Sequence, residues 1–415
     1  MTTPSGAATS ATSGTVAGRP QPQTTGEPSG GPFVRHAPDG RRAMYTASTG
    51  FSGFMANPMV SSPGWNKGYR ILVAATGGVN GTNTVANSVD APYSFFQLVQ
   101  MKDAFGTQLL TGPGYEIAYL VPLYSGQFGT DLMRAPQNSP QFLPVSTGSS
   151  GTGNWQFSTY LPFEFAKGVG VISGANAALL PVLQINTVSG AGSTYGFYST
   201  APGTLPGVAE TVDSDFYWLP NTPIDPPSIG STQQWIYQPS NPTISSSGST
   251  VVQLPRLGGY LSMIILELRD ANGVRLTETN STTNYGWPAR PKILVDGVPL
   301  IDSLFTTLQE DLAISTGIGA YAANAFVNAS AATNTGTIPV PRPNGTIAIS
   351  RKTSLAQRDF GLLDTGEIYM STNPGTQLEI AGYPWGAITT GPATLNAIVG
   401  QVVPSGALVQ GLPEV

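Results

Sequence analysis

The residues able to do chemistry are few. One histidine, His36, and no cysteine occur among 415 residues, so disulfides and thiolate-based metal sites are ruled out. A hydrolase triad usually takes its general base from histidine. His36 lies in Phe33-Val34-Arg35-His36-Ala37-Pro38-Asp39-Gly40-Arg41-Arg42, whose arginines disfavour its protonation, and catalysis is not expected there. Zinc leans on the same two residue types, so its ligands are in short supply. Asp213 with Asp215, or Asp270 with Asn272, could be offered to calcium. Neither belongs to an Asp-x-Asp-x-Asp-Gly loop with a distal Glu, and both read as turn residues. Glu164, Glu210 and Glu267 are nominal carboxylates for glycoside hydrolysis, and Glu164 alternates onto an exposed face. Gly168-Val169-Gly170 is a lone G-x-G with no dinucleotide fingerprint around it. The sequons at Asn80, Asn280, Asn328 and Asn344 read as turns in a chain without a secretory signal. No catalytic residue, cofactor or metal is expected.

Charged residues make up only 10% of the chain and the net charge is −5. A surface that grips phosphates needs clustered Lys and Arg, so direct, sequence-specific nucleic-acid binding is not expected. No apolar run of eighteen residues is present and the start lacks a signal-peptide pattern. A soluble chain made in the cytoplasm is expected.

Elements that could position these residues follow from the spacing. Met1 to Pro32 is Ser, Thr, Gly, Ala, Pro and Gln with almost no large apolar side chain, and cannot bury enough surface to offset its ordering entropy. With the basic cluster it makes a flexible N-terminal arm over 1–44. Trp155, Phe157, Thr159 and Leu161 alternate with Gln156, Ser158, Tyr160 and Pro162, the period of a strand with one buried face. Pro162 lacks a backbone donor and places that strand at a sheet edge or bend. A Gly/Ala connection then leads to a return strand, Leu179 to Ile185. Further strands are read at Tyr69–Ala75, Ser94–Lys102 and Thr211–Leu219, and one or two helical turns at Gly126–Met133.

Pro223, Pro226, Pro227, Pro239, Pro242 and the serines from Ser245 mark a boundary within Asn221–Ser249. After it come strands at Thr250–Gln253, Tyr260–Arg269, Lys292–Val295, Thr346–Ser350, Gly366–Ser371, Gln377–Ala381, Leu395–Val403 and Ala407–Leu412. Asp270-Ala271-Asn272-Gly273 is a hairpin signal. Leu300, Leu304, Leu308 and Leu312 predict a helix over Pro299–Ser315. The fold class is all-β: two tandem eight-stranded antiparallel sandwiches with a short flanking helix, the first over 45–235 and the second over 236–415.

The order of aromatic strand, central Pro162, the Ser173-Gly174-Ala175-Asn176-Ala177-Ala178 connection and return strand resembles the first barrel of tectivirus-type double jelly-roll major capsid proteins of phages. The likeness can be followed from about Trp65 to about Val403. It implies two jelly rolls side by side in a homotrimer of hexagonal outline, tiling an icosahedral virion shell over an internal membrane. Minor capsid and vertex proteins would be partners. Arg35, His36, Arg41 and Arg42 then become candidates for an arm facing lipid, where a basic residue gains about 1 kcal/mol near anionic headgroups, or pairing with a neighbouring subunit. The reading from another class is a carbohydrate-binding spike or adhesion protein, with Trp235, Tyr237 and Trp287 exposed to stack on sugars.

Overall fold

The structure is a computed structural model that describes residues 39–58, 64–79, 81–82, 85–103, 106, 108–124, 155–164, 171–173, 180–192, 196–218, 231–239, 252–253, 260–276, 286–308, 346–350, 361–362, 368–371, 378–381 and 393–404. Strand signals at Ala407–Leu412 and the helical turns at Gly126–Met133 lie outside these residues.

The strands of the first half are β1 (Asp39–Ala47), β2 (Phe54–Pro58), β3 (Gly64–Thr76), β4 (Ala86–Asn87), β5 (Phe96–Lys102), β6 (Gln108–Gly112), β7 (Trp155–Pro162), β8 (Ile172–Ser173), β9 (Val182–Thr187), β10 (Tyr198–Thr200) and β11 (Gly207–Trp218). One sheet runs β1-β11-β3-β7, with β8 also on β3; facing it, β6-β5-β9-β2 pair antiparallel within a larger sheet. The alternation read in the sequence is what closes them into a sandwich. Tyr69, Ile71, Val73 and Ala75 of β3 and Trp155, Phe157, Thr159 and Leu161 of β7 are buried, while Leu72 and Gln156 are exposed. They share one core with Val99 and Met101 of β5 and Leu183 and Ile185 of β9. Pro162 sits opposite Gly68 on the edge strand β7, where its missing donor costs no ladder bond.

The second half contributes β12 (Ser231–Pro239), β13 (Val252–Gln253), β14 (Tyr260–Arg269), β15 (Lys292–Val295), β16 (Val298–Asp302), β17 (Thr346–Ser350), β18 (Gly361–Leu362), β19 (Ile368–Ser371), β20 (Leu378–Ala381) and β21 (Thr394–Pro404). Its two layers are β12-β21-β14, with β17 and β19 taking successive stretches of the free edge of β14, and β13-β20-β15-β16. A second core of Leu266, Leu268, Trp287, Ile293, Ile380 and Leu395 fills the space between them.

The helix predicted over Pro299–Ser315 gives way at its start to β16; a helical turn begins at Phe305, and the described part ends at Leu308. The reason is the turn before it. Asp296 and Gly297 both adopt positive φ (50° and 78°), the geometry of a two-residue hairpin, which folds Val298–Asp302 back onto β15. Hairpin geometry outweighs the four-residue leucine spacing, and Leu304 is exposed. Likewise 39–44, read as the end of the arm, form the first part of β1, because the edge of β11 offers them a ladder from Asp39↔Tyr217 to Ala47↔Glu210. The 235/236 division falls inside β12.

β12 joins the sandwiches. It pairs antiparallel with β21 along its whole length and parallel with β6 at Trp235↔Leu110 and Ile236↔Thr111, so one ten-stranded sheet passes from one sandwich into the other. Trp235 lies opposite Gly400. A Cβ there would sit 2.5 Å from Cζ3 of the buried indole. Gly400→Ala is therefore expected to cost about 1–3 kcal/mol by overpacking, read from the denaturation midpoint; an unchanged midpoint would mean that the indole has another place to go.

Candidate functional site at the seam of the two sandwiches

The helical segment after β6, Tyr115–Leu120 continuing as Val121–Tyr124, is buried throughout. It lies between the sandwiches, and this explains the unbroken apolar run of β14. A bulge between Leu261 and Met263 resets the alternation, so Leu261, Ile264, Leu266 and Leu268 enter the second core. Met263 and Ile265, on the other face, join Trp235, Ile398 and the helix in the first core. A sheet covered on both faces reads as continuous hydrophobic sequence. The Tyr124 and Thr346 hydroxyls, 2.5 Å apart, add a buried hydrogen bond between the halves.

Beyond Ile265, the same face of β14 carries Glu267 and Arg269, which meet charges from the first sandwich. Arg269 donates from Nε to Glu116 (3.1 Å) and Glu267 (2.7 Å), from one terminal nitrogen to Glu116 (2.7 Å), and from the other to Asp90 (2.8 Å) and the Gly273 carbonyl (3.0 Å). Arg275 Nε donates to the second oxygen of Asp90 at 2.9 Å, and its guanidinium lies 4.7 Å from the centre of the Tyr115 ring. The hairpin signal read in the sequence places Arg275 there. The Asp270 carboxylate accepts from the Asn272 and Val274 amides, Gly273 takes positive φ, and Arg275 bridges back to Arg269. That occupation makes Asp270 a turn residue rather than a calcium ligand, and no cluster of three or more metal-ligating residues occurs among the described residues.

Burial sets the electrostatics. It pushes the Glu116 carboxyl well up; Arg269 opposes this, and neighbouring Glu267 reinforces it. Burial also pushes Asp90 up, but the two arginines more than offset it and hold that carboxyl below its ordinary range. Desolvation lowers Arg269, and the three carboxyls facing it more than reverse this. A cavity of about 330 Å³ adjoins the cluster, walled by Val89, Phe96, Tyr115 and Tyr237, with Glu116 and Arg269 on its polar side.

None of Asp90, Glu116, Arg269 or Arg275 was picked out as functional from the sequence. The usable signal was a charge inside an apolar stretch, as in Tyr115-Glu116-Ile117-Ala118-Tyr119-Leu120 in a chain only 10% charged. Of the nominal hydrolytic carboxylates, Glu164 accepts from the Tyr217 hydroxyl at 2.5 Å, Glu210 from the hydroxyl and amide of Thr49, and Glu267 from Arg269. Each of the three is held by a different partner. Asp213 and Asp215 lie on β11, where Asp215 accepts from Arg41 (2.7 Å) and Arg70 (3.3 Å).

Arg41 and Arg42 stand on β1, while Arg35, His36 and the Gly168–Gly170 stretch fall outside the described residues. The hydrogen bond to Asp215 raises the Arg41 pKa against the effect of burial. As a half-exposed pair it contributes at most about 1 kcal/mol. Trp235 and Trp287 are 0% and 1% exposed and serve as core anchors rather than sugar platforms; Tyr237 is half-buried against the first core.

These layers define the class: an all-β double jelly roll, two sandwiches standing side by side on a common sheet. No family model and no curated relative matches the sequence. Solved structures do. The crystal structure of the STIV MCP superposes with a TM-score of 0.57 at 12% identity, covering 91% of this chain and 100% of that one. An atomic structure of Sulfolobus Turreted Icosahedral Virus gives 0.56 at 14%, covering 90% and 94%. The quasi-atomic PBCV-1 virus capsid gives 0.54 at 12%, covering 89% and 95%. The double jelly roll expected from the sequence is the fold of the chain.

Proposed function

We propose that this chain is a major capsid protein whose role is structural rather than catalytic. The observation that carries the reading is the fold's extent: about nine tenths of the chain superposes on nearly whole capsid chains, with both sandwiches and their shared sheet included. The buried carboxylates Asp90, Glu116, Glu210, Glu267 and Asp270 are each held by an arginine, a threonine or turn amides, which fits a scaffold. Three copies of two side-by-side barrels have a pseudo-hexagonal outline, and such trimers tile an icosahedral shell from a single polypeptide. The virion is then its place, with neighbouring trimers and minor capsid and vertex proteins as partners. An N-terminal arm carrying Arg35 and His36 would reach anionic lipid of an internal membrane.

Light scattering on the purified full chain should give three times the chain mass, and negative-stain images a six-cornered particle. A monomer at assembly concentrations would sink the capsomer reading. Removing residues 1–38 keeps β1 and should lower binding to vesicles containing anionic phospholipid; undiminished binding would remove the lipid role.

A further inference from the structure

The seam holds an imbalance that the proposed function leaves unused. Asp90, Glu116 and Glu267 bring three carboxyls to two guanidiniums, Arg269 and Arg275, and the side chains of Glu116 and Glu267 are 1% and 0% exposed. Both lean on Arg269 through Oε1, and among the described residues neither buried Oε2 has a hydrogen-bond partner. Two ionised carboxylates so placed repel each other and leave lone pairs dry, which burial makes costly. A single proton held by the pair, whose Oε1 atoms both lie on Arg269 Nε at 3.1 and 2.7 Å, removes both faults: it turns one acceptor into a donor and leaves two negative charges against two positive ones.

We propose that Glu116 is a protonated carboxyl hydrogen-bonded to the Glu267 carboxylate, and that this proton is a pH-sensitive latch between the two sandwiches. The remaining groups around the pair do not supply the missing charge. Asp90 is held ionised by both arginines, and Asp270 spends its carboxylate on backbone amides. From β21, Asn396 donates its amide to Glu267 at 3.3 Å. Tyr115 and Tyr119 on the helix and Tyr237 on β12 are pushed far up by burial and stay neutral. The latch joins the two sandwiches beside the Trp235 and Ile236 pairs with β6 and the Tyr124–Thr346 hydrogen bond, so its loss acts on their docking.

The sign follows from linkage. A glutamate in the unfolded chain titrates near about 4.3, whereas the folded chain keeps the Glu116 proton to higher pH. Stability is full below the unfolded value and is lost as pH rises through the folded one.

The test uses the full chain. In the wild type an infrared carbonyl stretch of a protonated carboxylic acid should persist at pH 7, and the melting temperature should fall between pH 5 and pH 9. In Glu116→Gln, whose amide donates without titrating, that band should vanish and most of the fall with it. Glu267→Gln removes the repulsion and should also flatten the profile, so it carries the test if the first variant does not fold. Glu210→Gln controls for a carboxyl elsewhere in the first sandwich that burial also holds above its ordinary range, and should leave the band in place. A Glu116→Gln protein with the wild-type band and wild-type slope would overturn the latch, as would a wild type with no such band at pH 7.

Discussion

Arg269→Met is expected to destabilise the chain by about 3–5 kcal/mol, the range measured when one partner of a buried ion pair is removed and the other is left behind. The substitution keeps an unbranched stem of four heavy atoms and deletes the guanidinium with all its donors. What remains is three carboxyls, Asp90, Glu116 and Glu267, of which Asp90 alone keeps a cation, Arg275. Chemical denaturation would read the loss. Because the charges left behind cause it, adding Glu116→Gln and Glu267→Gln to Arg269→Met should recover part of it, although each removes a hydrogen-bond acceptor. A single Arg269→Met protein within about 1 kcal/mol of wild type would mean that the seam admits enough water to solvate the carboxylates.

This cluster also marks the limit of what can be read from the chain alone. Strands with one wet face announce themselves, as Trp155, Phe157, Thr159 and Leu161 do by alternation. Two-residue turns do so as well, and Asp270 to Gly273 folds as its composition says. The hairpin at Asp296-Gly297 was legible too, yet the leucine spacing beyond it points to a helix, and the conflict resolves only when β15 is present to pair with. The seam lies further off. Asp90, Glu116, Glu267 and Arg275 are separated by up to 185 positions, and only the packing of one sandwich on the other brings them together. The unbroken apolar run of β14 says that both its faces are covered, but nothing local says by what. The parallel pairing of β6 with β12 supplies that, and it joins residues about 125 positions apart, as expected of non-local sheet pairing.

The architecture also explains why a charge-poor chain spends its few buried charges here. Two sandwiches with separate cores could rotate about a short parallel pairing, because apolar contact is not directional. Hydrogen-bonded ions are directional, and Arg269 engages Asp90 and Glu116 at once, which fixes one docking angle. Under the capsid function proposed above, the angle between the two barrels is the quantity to hold constant. At the other sheet, the ladder of β1 along β11 and the Arg41–Asp215 pair hold β1 in place.

Trp155→Ala should cost about 3–5 kcal/mol, the usual toll of deleting a large buried aromatic, and its effect should reach the far sandwich. The indole is 2% exposed, stacks on Phe197 with centroids 4.4 Å apart, meets Phe95 at 5.7 Å and Phe157 at 5.9 Å, and donates to the Tyr198 hydroxyl at 3.1 Å. Trp155→Phe keeps a ring and loses the donor, so it should cost less than Trp155→Ala and separate packing from hydrogen bonding. The first core that this cavity weakens includes Met263, Ile265 and Ile398 of β14 and β21. If the first sandwich opens, those side chains lose their cover and the second sandwich is left with a bare apolar face. Unfolding of Trp155→Ala should therefore remain a single transition at a lower denaturant midpoint, with the fluorescence of Trp287 in the second core, read with the other tryptophans replaced by Phe, moving together with the far-ultraviolet circular dichroism. A Trp287 signal that stays native after the first sandwich has melted would show two independent barrels, and the seam would then be a contact rather than a coupling.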